Sequence, residues 1–87
     1  MLDTTTCLEQ FAWYASRHAD LRVQTIALAS EPAYVQVRNR FSATLAETVT
    51  CSEEGAFITS WGYRLGTTHD VESAAARLAY LLAALPA

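Results

Sequence analysis

Glu47 stands between Leu45 and Val49, on the side of a strand pattern that is otherwise apolar. A carboxylate facing a core either rises in pKa, which suits it to acid or base work, or is held ionised by donors that reach it. The held arrangement is the commoner one. No His, Asp or second Glu lies at a spacing that would complete a reacting pair, so no reaction is assigned to Glu47. Cys7, Cys51, His18 and His69 are the remaining residues with ligand or nucleophile chemistry. They form neither a Cys-x-x-Cys nor a His-x-x-x-His spacing, so the sequence predicts no metal site and no cofactor. A cysteine and a distant histidine also outline a thiol hydrolase, but without a local signature that outline carries no weight. The catalytic set is therefore empty, and the chain reads as a protein that is not an enzyme.

Recognition chemistry is better represented. The sequence has no lysine, so its fixed side-chain cations are six arginines, the side chain suited to bidentate and stacked contacts. Trp13 and Tyr14 sit together near Arg17, and Tyr80 lies close to Arg77. Exposed Trp and Tyr beside Arg match the composition of interface anchors.

These residues need elements to position them. Thr6-Cys7-Leu8-Glu9 has the form of a capping box, and Leu8, Phe11, Ala12, Ala15 and Ala19 recur at helical spacing. That stripe turns Gln10, Trp13 and Arg17 away from the core. Leu21 to Ala29 and Ala33 to Phe41 alternate partially and are rich in Val, Ile and Tyr, with Ser30-Glu31-Pro32 as the turn between them. Ala43 to Cys51 is joined through Ser52-Glu53-Glu54-Gly55 to an aromatic run from Ala56 to Leu65. Thr68 or Asp70 then caps a last helix carrying Val71, Ala74, Ala75, Leu78, Leu81, Leu82 and Leu85, with Pro86 closing it. The order is helix, four-stranded antiparallel meander, helix. Helices about 10 Å wide just cover four strands spaced about 4.8 Å apart, which predicts an α+β two-layer sandwich, a single domain over 1–87 with both helices on one sheet face.

Strand alternation then divides the side chains. Val23, Ala27, Val35, Val37, Leu45, Val49, Cys51, Phe57, Trp61, Tyr63 and Leu65 fall on the side that meets the helices. The other side carries Arg22, Gln24, Ile26, Leu28, Tyr34, Gln36, Arg38, Arg40, Thr44, Ala46, Thr48, Thr50, Ile58, Ser60, Gly62 and Arg64. This open face holds four arginines and no carboxylate, which the net charge of -3 conceals. The candidate interaction residues are thus Trp13, Tyr14, Tyr34, Arg22, Arg38, Arg40 and Arg64. A bulge of one residue would reverse the facing of the strand that contains it.

Val37-Arg38-Asn39, Leu45-Ala46-Glu47-Thr48-Val49 with Cys51, Gly55 to Gly62 ending in Ser60-Trp61-Gly62, and the alanine-rich closing helix together resemble a group of short, uncharacterised actinobacterial proteins. Those proteins share a V-R-N segment, an aromatic strand ending in S-W-G and a C-terminal amphipathic helix. The likeness spans about the C-terminal three-fifths of the chain. Two departures stand out: Arg40 occupies the place where a proline usually follows V-R-N, and Ala56 to Thr59 keep one aromatic where the group often has several. The resemblance implies a recurring small fold and no particular substrate.

Composition bounds the remaining choices. At 87 residues the chain buries only roughly 60% of its unfolded surface, a thin margin that a partner chain would widen. Apolar residues make up 52% and charged residues 17%, so part of the apolar surface is expected to meet protein. The acidic net charge and the single outward aromatic, Tyr34, disfavour nucleic acid as a partner. Two widely spaced cysteines, no basic start and no apolar run near the roughly 20 residues of a membrane span predict a cytoplasmic protein without a membrane segment. The expected function is a small non-enzymatic protein-interaction or regulatory domain that self-associates, as a homodimer or other homo-oligomer, or takes a protein partner. The alternative is binding of an anionic ligand or nucleic acid on the arginine face.

Overall fold

The computed structural model describes residues 4–42 and 45–84. In chain order the elements are α1 (Thr4–Arg17), β1 (Leu21–Ala27), β2 (Tyr34–Asn39), β3 (Ala46–Cys51), β4 (Ala56–Thr59), β5 (Arg64–Thr67) and α2 (Val71–Ala84). The strands form one antiparallel sheet in the order β1-β2-β3-β4-β5. The class is α+β.

The sheet has five strands where the sequence pattern predicts four. The run from Ala56 to Leu65 is broken by a turn at residues 60–63, in which Gly62 adopts φ +87°, a conformation that L side chains rarely enter. The Thr59 N–H donates to the Tyr63 carbonyl at 2.9 Å, and the Gly62 N–H donates to the Thr59 carbonyl at 3.0 Å. The Thr59 hydroxyl oxygen accepts from the Tyr63 N–H at 3.0 Å, which satisfies a polar side chain that is otherwise buried. Ser-Trp-Gly is thus a turn between two short strands, and it lifts Trp61 out of the covered set.

α1 already runs from Thr4, so Thr6 lies in its first turn rather than ahead of it, and the helix stops at Arg17, leaving Ala19 exposed in the following loop. At the start of α2 the Asp70 carboxylate accepts from the Ser73 N–H at 3.1 Å and the Ser73 hydroxyl at 2.8 Å, an N-cap. Those two bonds hold the Asp70 carboxyl below the usual carboxylate range. Ala43, Thr44, Leu85 and Pro86 lie outside the described residues.

The core gathers Leu8, Phe11 and Ala15 of α1, Val35, Val37, Val49 and Phe57 of the sheet, and Ala74, Leu78 and Leu82 of α2. The rings of Phe11 and Phe57 meet at 5.0 Å and 37°, joining the first helix to β4. The two helices touch one another and both reach β2. Among the described residues, no helix is long and apolar enough to cross a membrane.

A bulge in β1 changes which side chains face outward. Val23 pairs with Val37, but the next outward pair is Thr25 with Gln36, followed by Ile26 with Val35 and Ala27 with Tyr34. Gln24 is the extra residue, so Ile26 shares the side of buried Val35, and Leu28 packs against the core. Strict alternation places Ile26 and Leu28 outward and Ala27 inward, and the bulge reverses all three.

Candidate functional site

Glu47 is the best-connected polar side chain in the sheet. The β3–β4 register pairs Val49 with Thr59, which leaves Glu47, two residues earlier, level with the start of the β4–β5 turn. One carboxylate oxygen accepts from the Thr48 N–H at 2.8 Å, the Ser60 N–H at 3.0 Å and, in a short bond, the Ser60 hydroxyl. The other accepts a short bond from the indole N–H of Trp61. Partial burial disfavours the charge, but the Ser60, Thr48 and Trp61 donors outweigh it and hold Glu47 below the ordinary carboxylate range. An acid so stabilised keeps its charge at neutral pH and has its lone pairs engaged. Glu47 is thus a clamp on the turn and lacks the raised pKa of a general acid.

The same turn extends the network towards α2. The Trp61 and Tyr63 rings lie 5.1 Å apart, and Arg77 donates to the Tyr63 hydroxyl at 3.2 Å. Sequence reasoning identified Glu47 but placed Trp61 under the helices, whereas Trp61 is 58% exposed. The missed signal was Ser60-Trp61-Gly62 itself, a turn-forming composition inside an apparent strand.

Cys51 offers no reactive thiol. Burial, and after it the neighbouring Cys7 thiol, pushes Cys51 up to about 11. Such a group is protonated at neutral pH and a poor nucleophile. Among the described residues, no cluster of three or more His, Cys, Asp or Glu could hold a metal ion.

No protein-family model, curated protein or solved structure matches this chain. What its surface can recognise follows from the placement of its own residues.

The predicted four-arginine patch is smaller than the sequence pattern suggests. Arg22 and Arg38 are direct cross-strand partners. Arg40 lies beyond the end of β2, where its N–H donates to the Asp20 carbonyl at 2.9 Å and its guanidinium reaches the Ala19 carbonyl at 3.4 Å. It braces the α1–β1 loop. Arg64 pairs with Ile58 on β5, three strands and two side-chain rows from Arg38, a diagonal of roughly 20 Å. Tyr34 is half-buried beside Ala27, on the same side as Gln36, Thr48 and Thr50. No Asp or Glu occupies an outward position in the described strands.

On α1, Trp13 is 55% exposed, with the Tyr14 ring edge-on at 4.9 Å and the Arg17 guanidinium 4.8 Å from its centroid. Tyr14 is half-buried and packs against the core, so it supports Trp13 rather than adding a free anchor. Tyr80 is well exposed on α2, above a shallow hollow lined by Ser73, Ala76 and Arg77.

Proposed function

We propose that this chain is a small, non-enzymatic interaction domain whose open sheet face holds an acidic segment of a partner protein. In this reading both helices cover the side carrying Val35, Val37 and Val49, and the opposite side stays free. The observation that carries it is Arg22 directly opposite Arg38 on a face without carboxylates. Like charges directly opposed across two strands are destabilising, and an anion accepting from both guanidinium groups removes that cost. Gln36, Thr48 and Thr50 continue the face with neutral hydrogen-bonding groups suited to an extended chain. Protein is favoured over nucleic acid because the face offers Tyr34 alone for base stacking.

A synthetic peptide of alternating Glu and Thr tests the proposal by titration calorimetry at low salt, with an oligothymidine in a parallel arm. The peptide should bind, and the double variant R22E/R38E should weaken it by about tenfold or more, the loss of charge-assisted hydrogen bonds. An unchanged affinity in that variant, no peptide binding, or tighter binding of the oligothymidine would each overturn it.

A further inference from the structure

We infer that the free edge of β1 pairs with β1 of a second copy about a two-fold axis, making one continuous ten-stranded sheet. This is a different surface from the arginine face and does not depend on it. β1 is the outermost strand, seven residues long, and its only charged side chain is Arg22. Such an edge is a template for another strand, and any partner must accommodate its two blunting features, Arg22 and the Val23–Thr25 bulge.

The bulge makes this edge complementary to itself. Leu21, Val23, Ile26 and Leu28 lie on the core side, Arg22, Thr25 and Ala27 on the other, and the extra residue Gln24 is exposed. Around the Gln24–Thr25 peptide this pattern reads the same in both directions. A two-fold pairing centred there sets Leu21 against Leu28, Val23 against Ile26 and Arg22 against Ala27 of the second copy. Every flanking pair then sets like side against like side, two on the core side and Arg22–Ala27 on the other, and no arginine faces an arginine. Moving the centre by half a residue sets an inward residue against an outward one. A foreign strand would require no such palindrome, whereas a two-fold contact does.

The apolar surface lies where this contact would use it. Trp13 is 55% exposed and Ile26 is 52% exposed, and both line a groove of about 320 Å³ between α1 and the edge, with Ala12, Val23, Glu9 and Ser16. In the paired register, Ile26 of each copy comes opposite Val23 of the other, at the mouth of its groove. An aromatic side chain carries on the order of 150–250 Å² of buriable surface, so two Trp13 and two Ile26 side chains add substantial apolar burial to a strand pair about 23 Å long.

Sedimentation across a range of concentrations should show a dimer, and Ile26→Lys should shift it to monomer with an unchanged circular dichroism spectrum. Trp13→Ala, on a different element, should weaken it in the same direction. For the register, chains carrying Arg22→Cys and Ala27→Cys should cross-link when mixed and not when oxidised separately, beyond the background from Cys7 and Cys51. A protein that stays monomeric at every concentration, or a dimer unaffected by Ile26→Lys, overturns the edge contact. Cross-linking as strong in the separate chains as in the mixture overturns the register. Arg38→Glu alone, on β2 and away from the free edge, should weaken the acidic peptide and still dimerise, so this contact and the acidic-partner face fail separately.

Discussion

At the scale of single residues, Glu47 shows why a carboxylate in an apolar row need not be reactive. Its four donors come from β3 and from the turn beyond β4, and each is better satisfied by an anion than by a neutral acid. Hydrogen bonds to a charged group contribute roughly 1.5–3 kcal/mol each in sheltered sites, discounted here because the cluster is half open to water. Glu47→Ala should therefore cost about 1–2 kcal/mol and lower the melting temperature by roughly 4–16 °C. The pH dependence follows from the lowered pKa of the folded state: the stabilisation is complete above the unfolded value of about 4.3 and is lost as pH falls through the folded one. Melting temperatures measured from neutral to acid pH should fall less steeply below about pH 4 in Glu47→Gln than in the parent, since one of the two carboxylates held below the ordinary range is then gone and Asp70 remains. Equal slopes would show that Glu47 is not the clamp. The existence of an unusual Glu47 was legible from Leu45 and Val49 on either side. Its partners were not, because Ser60 and Trp61 reach it only once the chain has turned.

At the scale of elements, a one-residue bulge and a four-residue turn decide what the strands show. Helix stripes were readable from spacing: Leu8, Phe11, Ala12 and Ala15 are buried and Trp13 is not. Strands were less so, because period-2 patterns carry no mark of an inserted residue, and the Val23–Thr25 bulge reversed everything after it. The β4–β5 turn adds a second case. A Cβ on Gly62 meets nothing within 4 Å, so the cost of Gly62→Ala is backbone strain alone, about 1–2 kcal/mol. Asn tolerates positive φ better than Ala does, so Gly62→Asn should lose less. Urea midpoints in the order Gly, Asn, Ala with a constant slope would support this; equal midpoints would mean that the turn relaxes without strain.

At the scale of the whole molecule, the α+β class and the helix–sheet–helix order were legible because they depend on averaged patterns. The composition of the surface was not: of four arginines assigned to one face, the fold pairs two, sends Arg64 to the far corner and takes Arg40 off the face. A molecule of this size gains stability from any partner that binds only its folded form. If β1 joins two copies, the melting temperature should rise with protein concentration, and that rise should vanish in Ile26→Lys. A melting temperature independent of concentration in the parent protein would place its stability within one chain.

The strand order β1-β2-β3-β4-β5 also has a meaning in time. Each strand pairs with the next one in the chain, across connections of a few residues, so the entropy lost in closing each loop is small and local. The contact between α1 and α2 is different, since it joins the two ends of this order and spans the sheet in sequence. Successive hairpins can therefore close before α2 exists, but the α1–α2 contact and the share of the core supplied by Ala74, Leu78 and Leu82 must wait for it.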